Sequence, residues 1–384
     1  MICDIYFGVG CVVSVFKYWV LFAATPVSYN TMLIKKDIMA NVAVIGSEKS
    51  GRTSLAGKLG KKGTESDITL YNLVKGDRIY SFVDANGYPA SLKSLINAIN
   101  LSDIVLVCIP SSGLNAQAGE CIIALDLLGN KRGLFVITMS DKSNPTALSE
   151  LAQKIKAITK GTNLEKWESV AVSTTTFEGI ENLKEKIFAL GEDVRTAYAA
   201  KNDLPPRVIV DHFFNVTGIG TVVLGIVTQG TLKIHDDLMV FPISRPTEIR
   251  SIQSNDVDMK TASAGTRVGL SLKGVQSKEF DRGYIISRKE EVASKFNLKC
   301  HLSKFTQGLG VGDAVHLFAG LQDMPATIGR ISTGGEDVTQ AAPGSDCNVA
   351  LAAQKNIAYS MTDRFLISQL NNPKQRLVAI CEVV

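Results

Sequence analysis

From Met39 to about residue 200, short runs of consecutive apolar residues alternate with stretches in which apolar positions recur every three or four residues. The continuous runs, at 42–45, 79–83, 104–109, 134–138 and 170–172, predict strands of a parallel sheet covered on both faces. Between them, Leu92, Leu95, Ile96 and Ile99 keep helical spacing, as do Leu148, Leu151, Ile155 and Ile158, and Ile180, Leu183, Ile187 and Leu190. Strand–helix alternation of this kind predicts a doubly wound α/β domain.

The texture changes after Lys201-Asn-Asp-Leu-Pro-Pro206, a polar, proline-bearing linker. Strands at 208–210, 221–227 and 267–272 follow one another through glycine and aspartate turns, and no strong helical pattern appears between 207 and 384. Two all-β barrels are expected, with a boundary near 288–292. The expected division is an N-terminal extension at 1–38, an α/β domain at 39–200, a linker at 201–206, and barrels at 207–290 and 291–384.

The extension contains an apolar run from Ile5 to Val27, long enough to span a bilayer at about 20 residues. Lys17 in its middle, where a charge costs about 2.5–3.5 kcal/mol, argues against a membrane span. The lack of any preceding basic residue argues against a secretory signal. Three readings stay open: a segment apart from the fold, a membrane anchor, and a structural appendage. The membrane is not the expected site of action.

Composition narrows the classes. Forty-one basic and thirty-seven acidic residues give +4, with 45% hydrophobic and 20% charged residues. That excludes a disordered chain and a basic tail, so a nucleic-acid partner has to be argued from something other than net charge. The seven cysteines include no C-x-x-C pair and the four histidines lack ligand spacing. No disulfide framework or zinc site is expected, and a reducing compartment fits.

Candidate chemistry begins at Gly46-Ser-Glu-Lys-Ser-Gly51-Arg52-Thr53, which follows the first strand and opens a helix. This is the context of a phosphate loop, in which backbone N–H groups and the helix N-terminus cradle phosphate oxygens. Thr53 would ligate Mg²⁺, and Ser54 follows it. Arg52 stands where the loop's lysine belongs and brings a wide planar fork instead of a point charge. A purely structural glycine turn is the other reading.

The strings Gly113-Leu-Asn-Ala-Gln117, Gly133-Leu-Phe-Val-Ile-Thr-Met-Ser-Asp141 and Ser173 through Gly179-Ile-Glu-Asn-Leu183 resemble translational GTPases. Val210-Asp-His-Phe-Phe, Gly218-Ile-Gly-Thr-Val-Val-Leu-Gly225, Arg250-Ser-Ile-Gln253 and Ala264-Gly-Thr-Arg-Val-Gly-Leu look like the second domain of elongation factors. The resemblance is to the EF-Tu and selenocysteine-specific (SelB) elongation factor family, over roughly 40–384. It implies a Ras-like α/β P-loop G domain followed by two β-barrels, with GTP or GDP and Mg²⁺ as cofactors. It also implies aminoacyl-tRNA or the ribosome as partner, no DNA, a monomer and a cytoplasmic location. The nucleotide residues it implies are Gly46, Gly51, Arg52, Thr53, Ser54, Asp84, Gly87, Asp141 and Ser173. Thr53 and Asp84 would hold the metal, and Thr69 matches the switch threonine.

Several positions depart from the family pattern. Asp84-Ala-Asn-Gly87 carries Asn86 where proline is usual, and Tyr88 stands for the histidine that positions the attacking water. The phenol can hydrogen-bond water but, with a pKa of about 10, cannot present an imidazole's charge at neutral pH, so Tyr88 is expected to be inactive in that role; the Gly87 N–H can still meet a γ-phosphate. The guanine loop reads Thr138-Met-Ser-Asp141, keeping the carboxylate while replacing the bracing Asn and the stacking Lys. A helix cap or turn role is the alternative for Asp141. Only 60–66 separates the first helix from Asp67-Ile-Thr69-Leu, too short for a mobile effector loop. Thr69 either serves as a switch residue or simply starts a strand at 69–74. Two functions follow: a SelB/EF-Tu-like translation factor with weakened or lost hydrolysis, or a pseudo-GTPase scaffold that binds RNA or protein without nucleotide.

Overall fold

The computed structural model describes residues 37–76, 78–129, 131–372 and 375–384; the apolar run at 5–27 lies outside them. The α/β part holds seven strands: β1 (Asp37–Gly46), β2 (Lys61–Glu65), β3 (Thr69–Lys75), β4 (Arg78–Asp84), β5 (Ile104–Pro110), β6 (Arg132–Thr138) and β7 (Glu168–Ala171). Its helices are α1 (Arg52–Leu59), α2 (Leu92–Asn100), α3 (Ala116–Leu128), α4 (Pro145–Ile158) and α5 (Ile180–Ala199). The sheet order is β2-β3-β4-β1-β5-β6-β7. β1 lies parallel to both β4 and β5, and β3 and β2 add antiparallel strands at one edge. β1 starts at Asp37, ahead of Met39, because Asp37 and Ile38 pair with Arg78 and Ile79. Val42, Val44, Leu106 and Val136 fill one face of the sheet and Ala43, Ile45, Val107 and Ile137 the other, so both faces are buried.

Each barrel closes on six strands. In the first, β8 (Arg207–Val216) and β9 (Gly220–Gln229) join Asp237–Phe241, Arg245–Ser254, Arg267–Lys273 and Ile285–Ser287. The ring is completed where Asp237–Phe241 pairs with Arg245–Ser254. The second is built in the same way from strands between Glu291 and Val383. One apolar cluster runs from the α/β part into both barrels: Leu95, Ile99 and Leu125 belong to it together with Ile226, Phe318, Leu321 and Leu366. Arg376 on Glu120 (Nε–Oε1 2.9 Å) and the Asn100 amide on the Gly320 carbonyl (2.7 Å) add polar ties to the second barrel.

The sequence leads us to expect no disulfide framework, and one cysteine pair is found among the described residues. Cys300 and Cys381 lie directly opposite each other on adjacent antiparallel strands, with Cα atoms 4.1 Å apart, and are paired. They are 81 residues apart in sequence, so only the strand register reveals the proximity.

Candidate nucleotide site

The site lies where the sheet's order reverses. β1 has β4 on one side and β5 on the other, so loops at their C-terminal ends diverge and leave a crevice. The loop Gly46–Gly51 fills it. Gly51 at φ 79° caps α1 in the left-handed region, which a β-carbon disfavours. A β-carbon on Gly46 would come within 2.5 Å of the Cys108 carbonyl. These two glycines are required by the backbone path itself, with or without phosphate.

Arg52 is turned inward. Its Nη1 donates to the Gly46 carbonyl at 2.5 Å, and its Nη2 donates to the carbonyls of Tyr88 and Asn86. Its Nε lies 3.5 Å from Asp84 Oδ1. Every nitrogen of the guanidinium is therefore engaged with a protein oxygen, and the side chain is almost fully buried. Beside it, the Thr53 hydroxyl donates to Asp84 Oδ2 at 2.7 Å, so the two residues expected to hold Mg²⁺ hold each other. Burial pushes the Asp84 carboxyl above its ordinary value; the Thr53 bond and the Arg52 charge offset only part of this. Ser54 is exposed on α1.

Backbone donors are committed too. The Glu48 N–H goes to Gln117 Oε1 at 2.8 Å, and the Gly87 N–H goes to the Asp67 carbonyl at 3.0 Å. The Gly87 N–H, expected to meet a γ-phosphate, is held by a protein carbonyl in this arrangement. Tyr88, expected to be inactive in the histidine's place, is engaged too. It is 1% exposed, with its hydroxyl 2.9 Å from both the Gln117 carbonyl and Glu120 Oε2. The Arg52 and Arg376 guanidiniums both lie over its ring, 5.9 and 5.7 Å from the centre. Burial raises the phenol's pKa, and the neighbouring thiol and Glu120 add to it. The phenol is thus a core residue tying the loop after β4 to α3, with no face for water.

At the guanine loop, Thr138 takes over the bracing. Its hydroxyl donates to the Ser50 carbonyl at 2.6 Å and so ties β6 to the phosphate loop. Met139 adopts φ 57° and starts the short 3₁₀ turn Ser140–Lys142, on which Asp141 is exposed. Ser173 is buried, and its oxygen accepts from the N–H groups of Thr175 and Thr176, forming a hydroxyl-closed turn. Thr69 starts β3, opposite Asp84 in register, and is 2% exposed. Of its two readings the strand is the one observed.

The segment at 60–66 is itself ordered: Lys61–Glu65 forms the edge strand β2. Its end is fastened to the first barrel. Arg282 Nη1 meets both Asp67 oxygens at 2.7 and 2.8 Å, and the Ser66 hydroxyl sits 3.3 Å from His212 Nε2. Sequence reasoning passed over Arg282, whose only signal was a lone basic residue in a turn.

The fit to a magnesium–nucleotide complex is partial. Among the described residues, the buried hydroxyls of Ser47 and Ser50 and Oδ1 of Asp84 have no hydrogen-bond partner, so the crevice accepts a polar occupant. The cation at the family's lysine position, Arg52, is spent elsewhere, and the loop's other cation, Lys49, is exposed. A triphosphate carries several negative charges, and this donor set does not match it.

Comparison with known proteins gives the family. Residues 220–287 match the model for elongation factor Tu domain 2. An uncharacterized protein of Methanocaldococcus jannaschii is 33% identical over 312 residues, covering 81% of this chain and 90% of that protein. The selenocysteine-specific elongation factor of the same organism is 28% identical over 367 residues, covering 88% of this chain and 77% of that one. Among solved structures, elongation factor SelB from Methanococcus maripaludis in complex with the GTP analogue GppNHp superposes with a TM-score of 0.79 at 26% identity, covering 91% of this chain and 78% of that chain. The chain has the G-domain-plus-two-barrels architecture of these factors and belongs to the SelB/EF-Tu family of translational GTPases.

Proposed function

We propose that the chain acts as a SelB/EF-Tu-like translation factor that engages aminoacyl-tRNA or the ribosome as a cytoplasmic monomer, holding GTP or GDP weakly and not hydrolysing it. The family supports the partner class. The observation that carries the loss of hydrolysis is Arg52, whose guanidinium is occupied by the carbonyls of Gly46, Asn86 and Tyr88 and by Asp84. A nucleotide entering the crevice would meet Gly46, Gly51, Thr53, Ser54, Asp84, Gly87, Asp141 and Ser173, with Thr53 and Asp84 parting to take Mg²⁺. Mg²⁺ takes few protein ligands and keeps several waters, so two oxygens can suffice for it. They do not replace the missing charge.

A second reading is the scaffold that binds RNA or protein with no nucleotide. The ties at 66–67 favour it: Asp67 on Arg282 and Ser66 on His212 fix the sheet edge to the first barrel where a switching loop would move. A switch needs two arrangements that the γ-phosphate biases, and this one is pinned.

Calorimetric titration of the chain with GTP, GDP and ATP separates the readings. The expected result is weak GTP and GDP binding. No heat at all favours the scaffold, and submicromolar GTP affinity overturns both. Each lost transition-state donor costs about 10²–10³ in rate, so turnover near background is expected with and without ribosomes. Ribosome-stimulated multiple turnover, abolished by Asp84→Ala, overturns the loss of hydrolysis.

A further inference from the structure

At the end of the sheet opposite the phosphate loop, the α/β part and both barrels meet around a cavity of about 260 Å³. Lys131 and Arg132 at the start of β6 line it, with Asp103 ahead of β5 and Tyr198 and Lys201 at the end of α5. Ile226 of the first barrel and Leu321 of the second give it an apolar wall.

The charges inside do not cancel. Asp103 is the one carboxylate among the lining residues, and both of its oxygens are used. One accepts from the Tyr198 hydroxyl at 2.6 Å and the other from the Asn41 N–H at 3.0 Å. The Lys131 ammonium donates to the Ser102 carbonyl at 2.8 Å, and the Lys201 ammonium lies 5.6 Å from the centre of the Tyr198 ring. Among the described residues, none of the three cations forms an ion pair. Helices α2 and α5 both end here, each bringing roughly half a negative charge. Those ends and Asp103 together offset about two of the three cations. Burial lowers the Lys131 pKa; Asp103 opposes this and Lys201 adds to it. The group's environment thus disfavours the very charge that an incoming anion would restore.

The geometry points to a binding site for a small phosphate monoester with an apolar body. Cations delivered by two separate elements surround a group with three acceptor oxygens better than they grip a planar carboxylate. The volume exceeds that of inorganic phosphate, and Ile226 and Leu321 suit an apolar remainder. A ligand held here touches all three parts of the chain, so it binds their joined arrangement in preference to any other. The inference is independent of what the phosphate loop holds.

Calorimetry of the full chain with phenyl phosphate, inorganic phosphate and benzoate tests it. The expected result is one site, with phenyl phosphate at least about tenfold tighter than the other two. Arg132→Met and Lys201→Met should each weaken it by about tenfold while leaving the unfolding midpoint in place. Lys201 is exposed, so its variant decides alone if Arg132→Met fails to fold. No binding of phenyl phosphate at millimolar concentration overturns the site, as does benzoate binding equally well. Unchanged affinity in both variants also overturns it, by placing the ligand elsewhere.

Discussion

Asp84 in the α/β part and Asp211 in the first barrel are both wholly buried, each beside an arginine, and they titrate in opposite directions. Burial pushes both carboxyls up. At Asp211 the Arg267 guanidinium, followed by His212, overcomes burial and holds the carboxyl at about 2. At Asp84 burial wins, and the carboxyl stays above its ordinary value. The arginines explain the difference. Arg267 donates directly to Asp211 Oδ2, whereas Arg52 spends its Nη atoms on three carbonyls and approaches Asp84 only through Nε at 3.5 Å. A neighbouring charge stabilises a carboxylate only as far as its donors are aimed at it. The barrel keeps a committed ion pair; the phosphate loop has redirected its cation to hold backbone.

The largest expected effect separates the two aspartates by neutral substitution. Asp211→Asn leaves Arg267 nearly buried without its counter-charge, which costs about 3–5 kcal/mol. Asp84→Asn keeps an acceptor for the Thr53 hydroxyl and removes a charge the site already disfavours, so it should cost less than about 1 kcal/mol. Urea unfolding of the two variants measures this, and equal losses would erase the distinction.

Acid sharpens the comparison with a somewhat smaller effect. The folded-state pKa of Asp211 lies below its unfolded value, so its contribution is fully present above about pH 4. It is lost as pH falls through about 2, and amounts to about 2–3 kcal/mol. Asp84 works the other way: with a raised folded-state pKa, its contribution is present at low pH and lost as pH rises through that raised value. Stability measured between pH 2 and 7 should therefore flatten on the acid side in Asp211→Asn. In Asp84→Asn the acid limb should stay, and stability should fall less toward high pH than it does in the native chain. An unchanged acid limb in Asp211→Asn would show that other carboxylates set the acid stability.

Much of this fold is legible in the letters, for physical reasons that also mark where reading fails. The strands β1, β4, β5 and β6 are buried on both faces and announce themselves as unbroken apolar runs. α2 and α5 present one apolar face and so keep a visible period. α3 gives no such period because it is apolar nearly all round, packed between the sheet and the second barrel. β2, Lys-Lys-Gly-Thr-Glu, looks like a loop because an edge strand needs no apolar face. At the site, the identities of Arg52 and Tyr88 were readable as departures, but their orientations were not. That Arg52 reaches Tyr88 is set by where α1 and the loop after β4 converge, 36 residues apart in sequence. The Asp67–Arg282 tie spans 215 residues and has no local signature at all.

The redirected cation is itself open to test. Arg52→Lys removes the planar fork and leaves one ammonium that cannot serve three carbonyls at once. Part of its charge becomes free to face the crevice, where the Ser47 and Ser50 hydroxyls have no partners among the described residues. GTP affinity should rise by about tenfold, the equivalent of about 1.4 kcal/mol. An unchanged or lower affinity would mean that the other committed donors, the N–H groups of Glu48 and Gly87, limit binding instead.

The smallest expected effect is the most informative about catalysis. Tyr88→His restores the residue type that positions water in the family, yet it should leave GTP turnover within about threefold of background, because a restored side chain acts only where it meets the reacting atoms. At this position the side chain is buried beside Arg52 and Arg376 and its hydroxyl is bonded toward Gln117 and Glu120 on α3. An imidazole is shorter than a phenol and would lose those contacts, while the two cations beside it oppose its protonation. The chain that carries it is held from two directions: Arg52 grips the Tyr88 carbonyl and Arg376 the Pro89 carbonyl at 3.1 Å. Turning residue 88 toward the crevice therefore requires release of both arginines, one of them a second-barrel residue held on α3 by Glu120. The expected outcome is a modest loss of stability with no gain in hydrolysis, read by phosphate release under multiple turnover. A hundredfold rise in turnover for Tyr88→His alone would mean that this loop swings out readily, and that the site is one substitution from activity.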